Sequence, residues 1–202
     1  SADRWTTCTA SAFAQDGIPN TNSDASRAGT VCHQIMEECL LDQTIEPSTY
    51  VGAVADFYVG IGNVWRHTQP SLCDNALEAS VVVTEDMADA VLRAVDFIKM
   101  EQELFGGELL VEKRVPVGQF TGEDDAEGSA DVILRAPTWA RVYDGKFGRK
   151  RVNASRLISP RHVDFITGAM QPEQRGPNLQ MGCYALGAVH LYDLFGEIET
   201  VT

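Results

Sequence analysis

The sequence predicts an α/β sandwich in the order helix, three strands in a meander, helix, strand. Three observations lead there. A capped amphipathic stretch covers about 85–104, three β-rich runs follow in close order between 109 and 146, and a second helical pattern precedes Glu197–Val201. At 202 residues and 44% hydrophobic content the chain can bury a core and suits one compact domain. That domain is expected to be mainly helical over 1–107, with a sheet core over 108–202.

Taken in order, the first twenty-five residues are rich in Ser, Thr, Asn, Gly and Pro and read as loop, with a short helix around Ala10–Gln15. A helix is expected from Ser26 to Leu41, where Val31, Ile35, Met36, Cys39 and Leu40 fall on one stripe and Ser26 is available as a cap. A second is expected around Ser48–Val59, broken by Gly60 and Gly62. The clearest runs from Glu85 to Leu104. Thr84 caps it, Glu85 and Asp86 suit the positive end of its dipole, and Met87, Val91, Val95 and Ile98 form its buried stripe. Gly106-Gly107 ends it.

Leu109–Val117 then alternates, with Leu109, Val111, Lys113, Val115 and Val117 on one face. Strands Ser129–Arg135 and Trp139–Lys146 follow, joined by the turn Ala136-Pro137-Thr138. A long basic loop over 147–172 leads to a helix from Glu173 or Pro177 to Phe195.

Charge narrows the function. The net charge of −13 argues against a protein that coats nucleic acid by bulk electrostatics. Residues 141–175, however, hold eight basic against three acidic side chains, whereas 1–140 hold eight against 23. A local basic segment on an acidic body suggests one confined site for an anionic ligand, although a solvated loop fits the same count. No run of 18 apolar residues is present to cross a membrane, and Ser1–Trp5 lacks the basic flank and apolar stretch of a secretory leader. Five cysteines without C-x-x-C spacing read as reduced thiols in a cytoplasmic protein.

Several familiar signatures fail on counting. Gly60-Ile61-Gly62 opens like a dinucleotide loop, but Trp65 stands at the third glycine position. The acidic run from Glu123 imitates a calcium loop, yet Leu134 occupies the position that needs a bidentate Glu. Cys32, His33 and Cys39 lack zinc spacing.

What stands out is polar chemistry inside apolar patterns. Asp131 interrupts Ala130-Asp131-Val132-Ile133-Leu134, and Asp144 and Lys146 lie two apart on the next predicted strand, hence on one side of the sheet, around Gly145. Two carboxylates and a backbone carbonyl can hold a hard divalent cation, beside which a lysine can orient or deprotonate a water. A structural salt bridge from Lys146 to an acid is the plain alternative.

Gly128-Ser129-Ala130-Asp131, Asp144-Gly145-Lys146 and Gln180-Met181-Gly182-Cys183-Tyr184, preceded by Gly29-Thr30-Val31-Cys32-His33, resemble the PD-(D/E)XK nuclease superfamily. The resemblance is greatest to its RecB-type exonuclease branch and to phage and prophage members of it. It implies a restriction-endonuclease-like core with a central mixed sheet flanked by helices. It implies Mg²⁺, with Mn²⁺ as substitute, held by His33, Asp131, Asp144 and the Gly145 carbonyl. Lys146 would position the nucleophilic water, and Gln180 and Tyr184 would contact DNA or brace the lysine. Taken alone, His33 also reads as a core histidine, and Glu112, on the first strand, is left without a role. The family usually carries an aromatic or aliphatic residue where Gly145 stands. An iron–sulfur cluster is not expected, because no cysteine follows Cys183.

The expected function is a metal-dependent deoxyribonuclease, an exonuclease of phage recombination or DNA processing in the host cytoplasm. Arg149, Lys150 and Arg151 would hold the phosphate backbone. A recombination or annealing protein is a compatible partner and an oligomer is compatible with the fold, whereas a membrane is not expected. The alternative is a catalytically inactive nuclease-fold module for DNA binding or assembly.

Overall fold

The computed structural model describes residues 23–59, 62–66, 76–121, 125–147, 155–159, 162–163, 170–171, 174–177, 179–192 and 200–201. The class is mixed α/β. Two compact units are present, one built from described residues of 20–112 and 145–150, the other from those of 113–144 and 151–202.

In the first unit, helix α1 spans Asp24–Leu41. Ser23, rather than the expected Ser26, is its cap: the Ser23 hydroxyl accepts from the Ser26 N–H at 3.2 Å. Val31, Cys32, Ile35, Met36, Cys39 and Leu40 are buried along the expected stripe. Helix α2 spans Glu85–Phe105, capped by Thr84, whose Oγ1 accepts from the Met87 N–H at 3.3 Å, and ended by Gly106 at φ 71°. Its core stripe is Ala88, Val91, Val95 and Ile98, with Met87 half-buried.

The helix expected over Ser48–Val59 is absent. Pro47–Tyr50 makes a single 3₁₀ turn, and Gly52 takes φ 83°, which no right-handed helix accommodates. The β-branched and aromatic run Val54–Tyr58 then forms strand β1. Strands β2 (Gly62–Trp65) and β3 (Leu77–Val82) flank it antiparallel in the order β2-β1-β3.

A buried carboxylate pins this sheet. Asp56, 3% exposed, accepts from Arg66 Nε and Nη2 at 2.7 and 2.6 Å and from Ser80 Oγ at 2.6 Å. The Arg66 hydrogen bond holds the Asp56 carboxyl below the ordinary carboxylate range, assisted by Ser80 and opposed by burial. A depressed folded-state value gives a definite sign. The stabilisation is complete above the unfolded-chain value of about 3.9 and is lost as the pH falls through the lower folded value. Melting temperature against pH should therefore drop on the acid side for wild type and be flatter there for Asp56→Asn.

Another sheet is built around strands β4 (Glu108–Pro116), β5 (Glu127–Ala136) and β6 (Trp139–Tyr143), which belong to the second unit from Lys113 onward. The single helical turn α3 (Gly118–Thr121) lies between the first two. The segment expected as a loop over 147–172 contains strands: β8 (His162–Val163) pairs with β9 (Met170–Gln171), and β7 (Ser155–Ser159) pairs with β10 (Gln174–Pro177), which lies just beyond it. Backbone pairing there overrides the loop-like composition of a stretch rich in Arg, Ser and Pro. Helix α4 covers Leu179–Leu191, shorter than expected at both ends, and β11 covers Thr200–Val201.

The order β11-β6-β5-β4 places β5 inside, and Ala130–Leu134 is buried on both faces. Strand β11 runs parallel to β6 and β5 antiparallel to it, so this sheet is mixed.

Helix α4 packs on β5 and β6. Gly187 sets its approach to the end of β4: a Cβ there would stand 2.7 Å from the Pro116 carbonyl oxygen and 3.1 Å from Val115 Cβ. Backbone cannot yield as a side-chain tip can. Gly187→Ala should therefore lower stability by about 1–3 kcal/mol, read as a lower midpoint in urea unfolding. Among the described residues no helix is long and apolar enough to cross a membrane.

Candidate metal centre

Asp131 is the second residue of the buried run Ala130–Leu134 of β5 and is 7% exposed. Aligned residues on β5 and β6 end with Val132 opposite Tyr143. Asp131 is the next residue of β5 beyond that pair, and Asp144 is the first residue beyond the end of β6.

The strand expected to run through Lys146 stops at Tyr143, so Asp144-Gly145-Lys146 stands just beyond its end. The alternation argued from sequence therefore does not extend to Lys146. Asp131 is buried, Asp144 half-buried and Lys146 exposed. A glycine at the middle position contributes no side chain to hold the strand on, consistent with the early stop.

Helix α4 adds the third piece. Gln180 and Tyr184, one turn apart, are joined by a hydrogen bond from Gln180 Nε2 to the Tyr184 hydroxyl oxygen at 3.1 Å. The same amide nitrogen donates to Asp144 Oδ1 at 3.5 Å. Asp144, Gln180 and Tyr184, chosen from sequence in separate segments, thus meet in one unit.

The other unit holds His33, half-buried on α1. Its ring meets Phe147 edge-on, with centroids 5.1 Å apart and planes at 84°. Phe147 directly follows Lys146 in the chain.

Glu112 was not assigned a role from sequence. Its carboxylate oxygen and a ring nitrogen of His33 lie within 4.8 Å of each other. Glu112 also sits mid-strand in β4 at φ 47°, a left-handed conformation that costs a non-glycine residue about 1–3 kcal/mol. The break in the strand corrects the predicted alternation. Val115 and Val117 are buried as expected, but Lys113 and Arg114 are both exposed, and Leu109 and Val111 only half-buried. A glutamate inside Val111-Glu112-Lys113-Arg114 looks like any solvated strand residue, so nothing in the local pattern signals it.

The donor types fit a hard divalent ion. Carboxylates with a single imidazole are oxygen-rich ligands of the kind that suit magnesium or manganese, whereas structural zinc usually takes thiolates. Among the described residues no cysteine is grouped with His33 and Glu112. Burial pushes the thiols of Cys32 and Cys39 up to about 11, and raises that of Cys183 as well. All three are free thiols, and they stay protonated at neutral pH. Arg149, Lys150 and Arg151, expected to hold DNA, lie outside the described residues, as do Cys8 and Cys73 and the helix expected over Ala10–Gln15.

An α/β protein with a cluster of sequence-predicted polar residues at the end of a mixed sheet is the class that fold and site define. A family model described as "Protein of unknown function (DUF2800)" matches residues 1–202, and the chain belongs to that family. No solved structure gives a significant match.

Proposed function

We propose that the chain is a divalent-metal-dependent deoxyribonuclease with a restriction-endonuclease-like core, degrading DNA from its ends. The observation that carries the reading is the hydrogen-bonded set of Gln180, Tyr184 and Asp144. A second support is Asp131, a carboxylate kept buried within an apolar strand. The order of Gly128-x-x-Asp131, Asp144-x-Lys146 and Gln180-x-x-x-Tyr184 resembles the RecB-type exonuclease branch, and that resemblance supplies the reaction class.

In this reading Asp131, Asp144, the Gly145 carbonyl and His33, the set that the resemblance implies, hold Mg²⁺ or Mn²⁺, and Glu112 steadies His33. The ion, when bound, lowers the pKa of a water and offsets charge on the phosphate. Lys146, which is exposed, orients that water and stabilises the negative charge that develops during in-line attack. Gln180 fixes the orientation of the Asp144 carboxylate. Arg149, Lys150 and Arg151 grip the phosphate backbone, so DNA affinity should fall steeply with added salt.

The test is degradation of end-labelled linear and closed circular DNA with Mg²⁺ or Mn²⁺ against EDTA. Metal-dependent loss of the linear form alone supports the exonuclease reading. Loss of circles as well would make the protein an endonuclease with the same chemistry. The net charge of −13 favours a second reading, a catalytically inactive module of this fold to which a partner delivers DNA. Salt-sensitive binding of DNA by a protein that cleaves neither form would support it.

A further inference from the structure

Resting on the metal-centre reading, we propose that Gly128 and Tyr184 are positioning residues for Asp144, acting through Gln180. Gly128 lies on β5, three residues before Asp131, and Tyr184 lies on α4. The tyrosine ring occupies the space where a side chain at residue 128 would stand. A Cβ built there would collide with Tyr184 Cε1 and come within 2.8 Å of Cδ1 and 3.2 Å of Cζ.

The absence of a side chain at 128 is therefore what lets the ring rest against β5. From that seat its hydroxyl oxygen accepts one N–H of the Gln180 amide at 3.1 Å, which turns the amide so that Nε2 also faces Asp144 Oδ1 at 3.5 Å. An amide that engages Oδ1 gives the Asp144 carboxylate one preferred orientation. Outer partners of this kind govern metal affinity as well as ligand geometry.

The glycine contrasts with Gly182 on the same helix as Tyr184. A Cβ at Gly182 meets nothing within 4 Å. The requirement at 128 thus comes from the ring against it, and a general preference for small residues does not account for it.

Calorimetric titration of the full chain with Mn²⁺ tests this. Gly128→Ala should weaken binding roughly 10- to 100-fold, and Tyr184→Phe, which keeps the ring and loses only the hydroxyl, should weaken it in the same direction with the fold intact by near-UV circular dichroism. If Gly128 acts through the ring, adding Gly128→Ala to Tyr184→Ala should change affinity by less than about twofold, because no ring remains to be displaced. Gly182→Ala should bind as wild type does.

Wild-type affinity in Tyr184→Phe, or independent multiplication of the Gly128→Ala and Tyr184→Ala effects, would overturn the proposal and leave the metal-centre reading standing. A folded wild-type chain that binds no Mn²⁺ would remove that reading and the proposal with it. Should Gly128→Ala fail to fold, Tyr184→Phe alone decides.

Discussion

Lys146→Ala should lower metal-dependent DNA cleavage by roughly 10²- to 10⁴-fold, the range for losing a positioned acid–base group, while the melting temperature stays within a degree or two. The separation of the two effects follows from exposure. Lys146 is exposed beyond the end of β6, so its removal opens no buried cavity. Steady-state rates on linear DNA, taken with a thermal melt of the same preparation, check both halves. Lys146→Arg should recover little, because a planar guanidinium does not place a point charge or release a proton as an ammonium does. Loss of activity together with loss of fold would instead make Lys146 a structural residue, the plain salt-bridge alternative.

Ile133→Ala should cost about 2–5 kcal/mol of folding stability. Ile133 is fully buried, and its strand has a hydrogen-bonded neighbour on each side in the order β11-β6-β5-β4. The loss combines the transfer free energy of the deleted carbons with a cavity that a central strand cannot collapse around. Asp131, two residues earlier on the same face, provides the contrast. Asp131→Asn keeps the volume and removes a buried charge, so it should cost far less stability than Ile133→Ala while abolishing metal-dependent activity. Urea unfolding of the two variants, with m-values compared to confirm a common denatured state, separates packing from chemistry.

These two residues also illustrate what the sequence could convey. Both readings of β5 were accessible because five consecutive positions, four of them apolar, leave a lone aspartate conspicuous. The capped helix α2 was equally legible, since Thr84, the first-turn acids and Gly106 all mark its ends in the manner that backbone hydrogen bonding requires. The strand β1 was not. Val54–Tyr58 carries apolar residues at spacings that suit either period, and the decision rests on Gly52 and on pairing with β2 and β3, which are distant in sequence.

At the candidate site, motif order singles out Gln180, Tyr184 and Asp144 and implies that the first two contact DNA or brace the lysine, whereas the hydrogen bonds present join Gln180 to Tyr184 and to Asp144. Burial was harder to foresee. Alternation makes Lys146 part of a strand, but β6 ends three residues earlier and Lys146 is exposed. Glu112 escaped for a different reason. A left-handed backbone at a glutamate is a tertiary outcome with no composition mark, and it takes the coordinates of His33 to give the carboxylate a neighbour.

The central claim is that Asp131 and Asp144 hold a catalytic metal, and the most direct measurement is nucleotide release from linear duplex DNA by wild type, Asp131→Asn and Asp144→Asn. Each is run with Mg²⁺, with Mn²⁺ and with EDTA. Release by wild type that EDTA stops, and that both folded variants lack, is the predicted result. Release that persists in either variant or in EDTA, or a folded wild type that releases nothing with either metal, would contradict it.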